Sequence, residues 1–282
     1  MFYTNKRYQA LIFLAFLFVA CAPKLRTTLH TLSNALPKDA LVVVIDVVDN
    51  QEVEAKKIGE ISVRDAGLTS QCSYYENIIE FKNKARATGA NLIKITKHKT
   101  PDNWSSCHRL WADLYYVENP KDFETKITWS ADRKLTWADF KGKPDTENYP
   151  TALALTNSGF GFEPSSFNLF KSGDLFIQAT MNTYDSWVLP EGRNDYVLRH
   201  EQIHFDITEI YSRKLRKIFQ DNNITPADYN RAKEIFEITF AECQQFQDRY
   251  DADTQKGKKE ETQKKWEAIV EIELAKYDAY KS

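Results

Sequence analysis

The pattern of hydrophobic and polar positions changes along the chain, from alternation in the first half to helical spacing in the last third. Residues 40–47 and 57–65 are β-branched or alternating runs, which predicts two strands. Residues 73–90 carry apolar side chains at helical spacing. Two more strand patterns follow, NLIKITKHK and RLWADLYYV. The order predicts a small ββαββ domain over residues 39–118.

A second predicted domain, residues 124–282, begins with strands and ends with helices. Aromatic, alternating segments separated by Gly and Pro predict antiparallel strands, of which the last, DSWV, could line a cleft. A long helix is expected to start with Asn194 or Asp195 as its N-cap. After the turn DNNITPAD, a second helix reaches about Ala252, and a third carries an apolar face that includes Trp266. The predicted fold class is α+β.

Residues 1–20 have the pattern of a secretory signal. Two basic residues precede a short apolar run, 10–19, which is shorter than the roughly 20 residues of a membrane span. Ala20 then precedes Cys21, at the place where bacterial lipoproteins carry their lipidated cysteine. A plain signal peptide followed by a chance cysteine is the alternative.

A lipidated Cys21 would make a membrane a partner of this chain, through the lipid anchor. The polar residues 21–38 show no strong pattern and are interpreted as a tether. Because Ala22 rather than Asp follows the cysteine, resemblance to other bacterial lipoproteins favours a lipid-anchored position at the outer membrane of the bacterial cell envelope.

Composition excludes some classes of protein. The net charge is −2 and 28% of the residues are charged, without the basic surplus that a nucleic-acid-binding protein normally shows. Nucleic acid is therefore not an expected partner. With only nine glycines, the chain contains no glycine-rich phosphate-binding loop.

The cysteines and isolated histidines lead to two further predictions. Cys72 and Cys107 both lie in the N-terminal domain, and an oxidising envelope would favour a disulfide between them. Cys243 lies in a helical pattern and is interpreted as a small buried residue. His98 and His108 have no clustered partner in the sequence, which favours histidines on strand surfaces over metal ligands.

The sequence His-Glu-Gln-Ile-His at residues 200–204 is the candidate chemical site. Two histidines four apart on a helix share one face, the arrangement that lets one zinc ion bind both imidazoles. Glu201 lies beside them and can act as general base on a water whose pKa zinc lowers to about 7. Apolar residues continue at helical spacing behind both histidines, so His200 and His204 are expected to face the core.

A zinc site needs a third protein ligand, and the motif has no further histidine at the spacing of the longer zinc motifs. If the two long helices form a hairpin about Asn222 and Asn223, counting places His204 opposite Ala241, which makes Glu242 the favoured ligand. Asp251 lies about a turn and a half further along. Tyr211 or Tyr250 could stabilise the negative charge that develops on the substrate, or either could be a core residue.

Three separated segments, LTWADFKGKP, SWV…LRHEQIHFDI and YDADT, resemble a bacterial family of uncharacterised proteins described as predicted secreted zinc-dependent proteases. The resemblance covers about residues 125–270. It implies a zincin-like metalloprotease domain, with His200 and His204 as zinc ligands and Glu201 as general base. It also makes Asp251 a candidate for the third ligand beside Glu242.

The chain departs from the family pattern after YDADT, where Lys256 stands in place of a histidine and Asp253 in place of a glutamate. The leading expectation is a zinc-dependent hydrolase that acts on a peptide or protein substrate. The departure motivates an alternative, a non-enzymatic binding or scaffold lipoprotein with a degenerate metal site. A zinc amidase for cell-wall peptides is a third expectation, because the same chemistry serves both reactions.

Overall fold

A computed structural model describes residues 24–31, 33–49, 51–65, 72–164 and 175–281. The predicted signal peptide and Cys21 lie outside the described residues. The chain has the predicted α+β class, with sheets in its first two thirds and long helices in its last third. In the described part of the chain, no helix is long and apolar enough to cross a membrane.

The N-terminal part forms a five-stranded mixed sheet with one helix packed on one face. The strands occur in the order β1-β3-β5-β4-β2; β2 runs parallel to β4, and the other pairs are antiparallel. The elements that build it are β1 (Lys24–Leu29), β2 (Val43–Ile45), β3 (Lys57–Arg64), α1 (Tyr74–Ala87), β4 (Leu92–Lys99) and β5 (Arg109–Tyr115).

Local sequence explains most of this unit. Ser73 and Glu76 form a capping box at the start of α1, which satisfies amides that the first turn leaves without helical partners. Phe81 and Ala85 on α1 are fully buried against the sheet. Cys72 and Cys107 form a disulfide in the structure and join the start of α1 to the loop before β5.

The interpretation of residues 21–38 as a patternless tether is wrong for the part that forms β1. This strand pairs with β3 along its whole length, from Lys24 opposite Arg64 to Leu29 opposite Gly59. It lies at the edge of the sheet, and Leu25 is its one residue that packs against the core. An edge strand that buries so little carries a weak hydrophobic pattern.

The second part contains two small antiparallel sheets, in agreement with the predicted antiparallel strands. One is β6-β9-β8 and the other is the pair β7-β10. Their strands are β6 (Lys126–Thr128), β7 (Ala154–Leu155), β8 (Ser158–Pro164), β9 (Leu175–Asn182) and β10 (Trp187–Val188). The division of the chain into two domains at residues 118–124 stays a prediction.

Three helices complete the chain: α2 (Asp195–Asp221), α3 (Tyr229–Thr254) and α4 (Glu260–Lys276). Helix α2 is the central element, because it contacts β8 and β9 on one side and α3 and α4 on the other. Its residues Ile203, Ile207 and Ile210 are at most 1% exposed. A helix enclosed in this way holds its polar side chains in fixed positions.

Candidate metal centre

Helix α2 places the His-Glu-Gln-Ile-His motif in the interior. The Asn194 side chain accepts a hydrogen bond from the Val197 amide at 3.0 Å and caps the helix, as one of the two predicted N-caps. His200 and Glu201 are only 5% and 3% exposed, and His204 is partly buried. Buried polar side chains need partners, so the surroundings of this motif decide its chemistry.

Three side chains converge here from two helices. His200 Nε2 and His204 Nε2 lie 3.2 Å apart, and Asp251 Oδ1 from α3 lies 3.2 Å from each of them. Two ligands of a tetrahedral zinc ion with bonds of 2.0–2.1 Å are about 3.3 Å apart. His200, His204 and Asp251 therefore form a group that could hold a metal ion, and the chain offers no second group of three such residues among those described.

Glu242, the ligand favoured by counting along the helical hairpin, does not belong to this group. Its exposed side chain lies on α3 near Tyr211 and Lys214. The counting assumed a tight turn at Asn222 and Asn223, whereas a short 3₁₀ helix, Pro226–Asp228, extends the connection. The longer connection shifts every pairing toward the C-terminus of α3, which brings Asp251 opposite the histidines.

The hydrogen bonds of two glutamines show which ring nitrogen of each histidine carries the proton. Gln247 donates from Nε2 to the carbonyl of His204, so its Oε1, 2.6 Å from His204 Nδ1, must accept a hydrogen bond from that nitrogen. Gln263 is oriented in the same way by the Tyr196 carbonyl, and its Oε1 lies 3.2 Å from His200 Nδ1. In a neutral imidazole with its proton on Nδ1, Nε2 carries the lone pair that binds metal.

The three converging atoms are thus all electron-rich, and a cation among them would remove their mutual repulsion. Burial alone would raise the pKa of Asp251, but hydrogen bonds and charge from His200 and His204, once these are also protonated on Nε2, hold it well below its usual range. Burial alone would lower the pKa of His204, but Asp251 and the charge of Glu201 raise it. Both directions reflect a site that favours positive charge, so its residues fit a divalent metal ion.

Glu201 is held beside this group by a residue that the motif does not contain. The Thr156 hydroxyl donates to Glu201 Oε2 at 2.7 Å. Thr156 directly follows β7, and no sequence signal marked it, because it lies 45 residues before Glu201. The bond leaves the carboxylate beside a cavity of about 380 Å³, which both histidines and Asp251 also line.

The strand beside the cavity is β7, not the aromatic DSWV segment that the sequence suggested. Ala154 and Leu155 of β7 line the cavity, together with Tyr149 and Tyr196. Trp187 and Val188 form β10, which pairs with β7, and both side chains are buried. The aromatic segment therefore supports the strand that faces the cavity.

Tyr250 and Tyr211 do not line the cavity. Tyr250 is fully buried, and its ring stacks on that of His200 with centroids 4.7 Å apart. Its hydroxyl has no hydrogen-bond partner among the described residues, and burial raises its pKa far above the usual range. Tyr211 is 5% exposed and lies under the Lys214 ammonium. Both are buried core residues, which favours the second of the two expectations for them.

Lys256 reaches the cavity from an unusual turn after α3. Gln255, Lys256 and Gly257 all have positive φ angles, of 52°, 54° and 77°. Left-handed backbone costs about 1–2 kcal/mol for each residue other than glycine. The turn presses Gly257 against the His200 ring and places Lys256 and Lys258 in the cavity wall.

The three segments that carry the family resemblance meet around α2. The Leu135 amide of the first segment donates to Gln202 Oε1 at 2.8 Å, and Gln202 in turn donates to Asp206. The Gly142 amide donates to the Ser186 carbonyl at 2.8 Å, which joins the first segment to the second. The third segment supplies Asp251.

Comparisons with family models, curated proteins and solved structures found no match to this chain. The resemblance to predicted secreted zinc-dependent proteases therefore stays a prediction from three motifs. The case for the site depends on the geometry of its own residues.

Proposed function

We propose that this protein is a zinc-dependent hydrolase that cleaves peptide bonds in the bacterial cell envelope, where a lipid at Cys21 anchors it. One observation carries the proposal: a buried carboxylate, Glu201, lies beside three converging metal-binding atoms at the wall of one cavity. A structural metal site needs the ligands alone. The added carboxylate and the cavity favour a reaction.

Each residue of the site has a role in this proposal. His200, His204 and Asp251 would hold the zinc ion, which would supply the Lewis acidity that makes a water a stronger acid. Glu201 accepts a proton from the attacking water and returns it to the leaving amine. Thr156 keeps the Glu201 carboxylate in position through its 2.7 Å hydrogen bond.

The cavity wall supports a peptide as the substrate. Strand β7 pairs with β10 along one edge, and its residues Ala154 and Leu155 line the cavity. An extended chain bound there could form main-chain hydrogen bonds with the other edge of β7. Leu153, Tyr149 and Tyr196 give this wall an apolar and aromatic surface that suits peptide side chains.

Metal analysis and peptide cleavage on the same preparations test this proposal. We expect stoichiometric zinc in the wild-type protein. The variant Glu201→Gln should keep the metal and lose hydrolysis by roughly 10²–10⁴-fold, the usual contribution of a general base. His204→Ala should lose both metal and activity. Glu237→Gln, an exposed change on α3, is the matched control and should change neither.

Each result separates the alternatives. Undiminished cleavage by Glu201→Gln would refute the mechanism, and wild-type protein without zinc would refute the site. Zinc without hydrolysis of any peptide library would favour the non-enzymatic scaffold that Lys256 suggested. Cleavage of cell-wall peptides, with protein-derived peptides left intact, would indicate an amidase.

A further inference from the structure

A tryptophan is exposed at one end of the five-stranded sheet. Trp104, in the loop between β4 and β5, is 94% exposed. The other five tryptophans, all of them in described segments, are buried or partly buried. Tryptophan is concentrated at interfaces where one side of a contact is apolar and the other is wet. The position of Trp104 therefore raises the question of what it contacts.

The loop holds Trp104 in a fixed place. The Asp102 carboxylate accepts hydrogen bonds from the amides of Trp104 at 2.9 Å and Ser105 at 3.0 Å, and it pairs with Arg109 at 2.6 Å. The Ser105 hydroxyl donates to Asp65, directly after β3, at 2.6 Å. Because the loop is already ordered, a contact through Trp104 costs little further conformational entropy.

Four cations lie around the same end of the sheet. Arg26, Arg64 and Trp111 line one depression on the face opposite α1. The Arg64 guanidinium and the Lys97 ammonium lie 5.6 Å and 5.2 Å from the Trp111 ring centre. Lys99 is the last residue of β4 and lies at the same end of the sheet.

The charge at this end is positive after its acidic residues are counted. Glu60 and Asp113, which line the same depression, are both paired with Lys57. Asp102 is paired with Arg109, and Asp65 accepts the Ser105 hydroxyl. None of the four cations, Arg26, Arg64, Lys97 and Lys99, forms an ion pair with a carboxylate of the described segments. The surface therefore suits an anionic partner.

The path of the chain identifies that partner. Strand β1 begins at Lys24, opposite Arg64, so the N-terminal segment enters the sheet at the end that carries the cations and Trp104. Cys21, the predicted lipidation site, is three residues earlier, which is at most about 10 Å of extended chain. A lipid on Cys21 would bring this end, and not the opposite one, to the bilayer.

We infer that Trp104, Arg26, Arg64, Lys97 and Lys99 form a membrane-facing end that rests on anionic phospholipid headgroups. Trp104 lies at headgroup level, where its amphipathic ring is favoured, and the cations are attracted to the lipid phosphates. The inference rests on the proposed lipid anchor at Cys21 and is independent of the metal centre. It orients the N-terminal sheet with respect to the membrane.

Tryptophan quenching in vesicles tests the inference with the full chain. The vesicles contain phosphatidylglycerol and a lipid brominated near the top of its acyl chains, and sedimentation shows in parallel that every variant is bound. We expect bromine to quench a component of the wild-type emission that is absent from Trp104→Phe. Trp137→Phe, a partly buried change in the second part of the chain, is the matched control and should keep the quenched component.

The charges are tested by the double variant Arg64→Gln with Lys97→Gln. Because each cation near an anionic surface contributes about 1 kcal/mol, removing two should weaken the contact about 30-fold. Quenching of the Trp104 component should fall accordingly, and it should fall for wild-type protein on purely zwitterionic vesicles. An equal quenched fraction in wild type and Trp104→Phe would overturn the inference, and the surface would then suit an acidic protein partner.

Discussion

Of the two candidates for the third metal ligand, Asp251 lies at the histidines and Glu242 does not. Both are acidic residues of α3, and helical spacing alone does not distinguish them. Asp251 Oδ1 is 3.2 Å from each histidine nitrogen, whereas the Glu242 side chain is exposed elsewhere on the helix. The glutamine hydrogen bonds then leave the lone pairs of His200 and His204 directed at Asp251.

Zinc affinity should distinguish these two carboxylates. We expect Asp251→Asn to weaken zinc binding by more than about 100-fold, because loss of an outer hydrogen-bond partner alone typically costs 10–100-fold. Glu242→Gln is the matched control and should bind zinc as the wild type does. Competition with a chromophoric chelator measures both affinities. Retained affinity in Asp251→Asn would contradict the ligand assignment.

Two connections position the elements around the cavity. The extended link between α2 and α3 sets which turn of α3 faces the histidines. The left-handed turn Gln255–Gly257 ends α3 and brings the chain back against His200. A Cβ on Gly257 would lie 3.3 Å from Cγ and Nδ1 of that ring, closer than an ordinary contact. The turn therefore depends on glycine for both its backbone and its packing.

Substitution of this glycine should affect both stability and metal binding. Gly257→Ala is expected to lower the free energy of unfolding by about 1–2 kcal/mol, the cost of left-handed backbone for a residue with a Cβ. It should also weaken zinc binding, because the new methyl group displaces His200. Gly161→Ala in β8, where a Cβ would meet nothing within 4 Å, is the matched control. Urea unfolding with a chelator present measures stability without the metal contribution.

A result in which both alanine variants behave alike would contradict this account of the turn. Unchanged zinc affinity in Gly257→Ala, together with lower stability, would show that the turn serves folding without positioning His200.

Across the whole molecule, the sheet of the N-terminal part contains its own titratable cluster, far from the metal motif in sequence. His98 and His108, interpreted from sequence as separate surface histidines, contact each other at 2.8 Å and stack. Tyr74 packs against both rings and donates to Asp46 at 2.5 Å. Burial, the charge of His98 and that of Arg109 lower the pKa of His108 to about 4, and burial also lowers the pKa of His98.

This cluster should make stability depend on pH. An unfolded histidine has a pKa near 6.5, so between about pH 6.5 and 4 the unfolded chain binds protons that folded His108 does not. Stability is therefore expected to fall as the pH falls through this window. We expect His108→Gln to reduce that slope, and His30→Gln, an exposed histidine change, to leave it unchanged. Urea unfolding at several pH values, with a chelator present, measures the slopes.

An identical pH dependence in wild type and His108→Gln would contradict the role of this cluster.

Local patterns were sufficient to predict much of the fold. The strands and the helix α1 of the N-terminal part follow from alternation and helical spacing, which depend on near neighbours in the chain. Asn194 at the start of α2 and the inward direction of His200 and His204 follow in the same way. Edge strand β1 was missed because it buries almost nothing.

The sequence by itself determined that two histidines and a glutamate share one face of a core helix, because helical periodicity fixes that relation within a single turn. Only the tertiary structure decided what surrounds them. Asp251 depends on the length of the α2–α3 connection, and Thr156 and Gln263 reach the motif from distant parts of the chain. Contacts between such distant residues depend on how whole elements pack, and no local spacing encodes them.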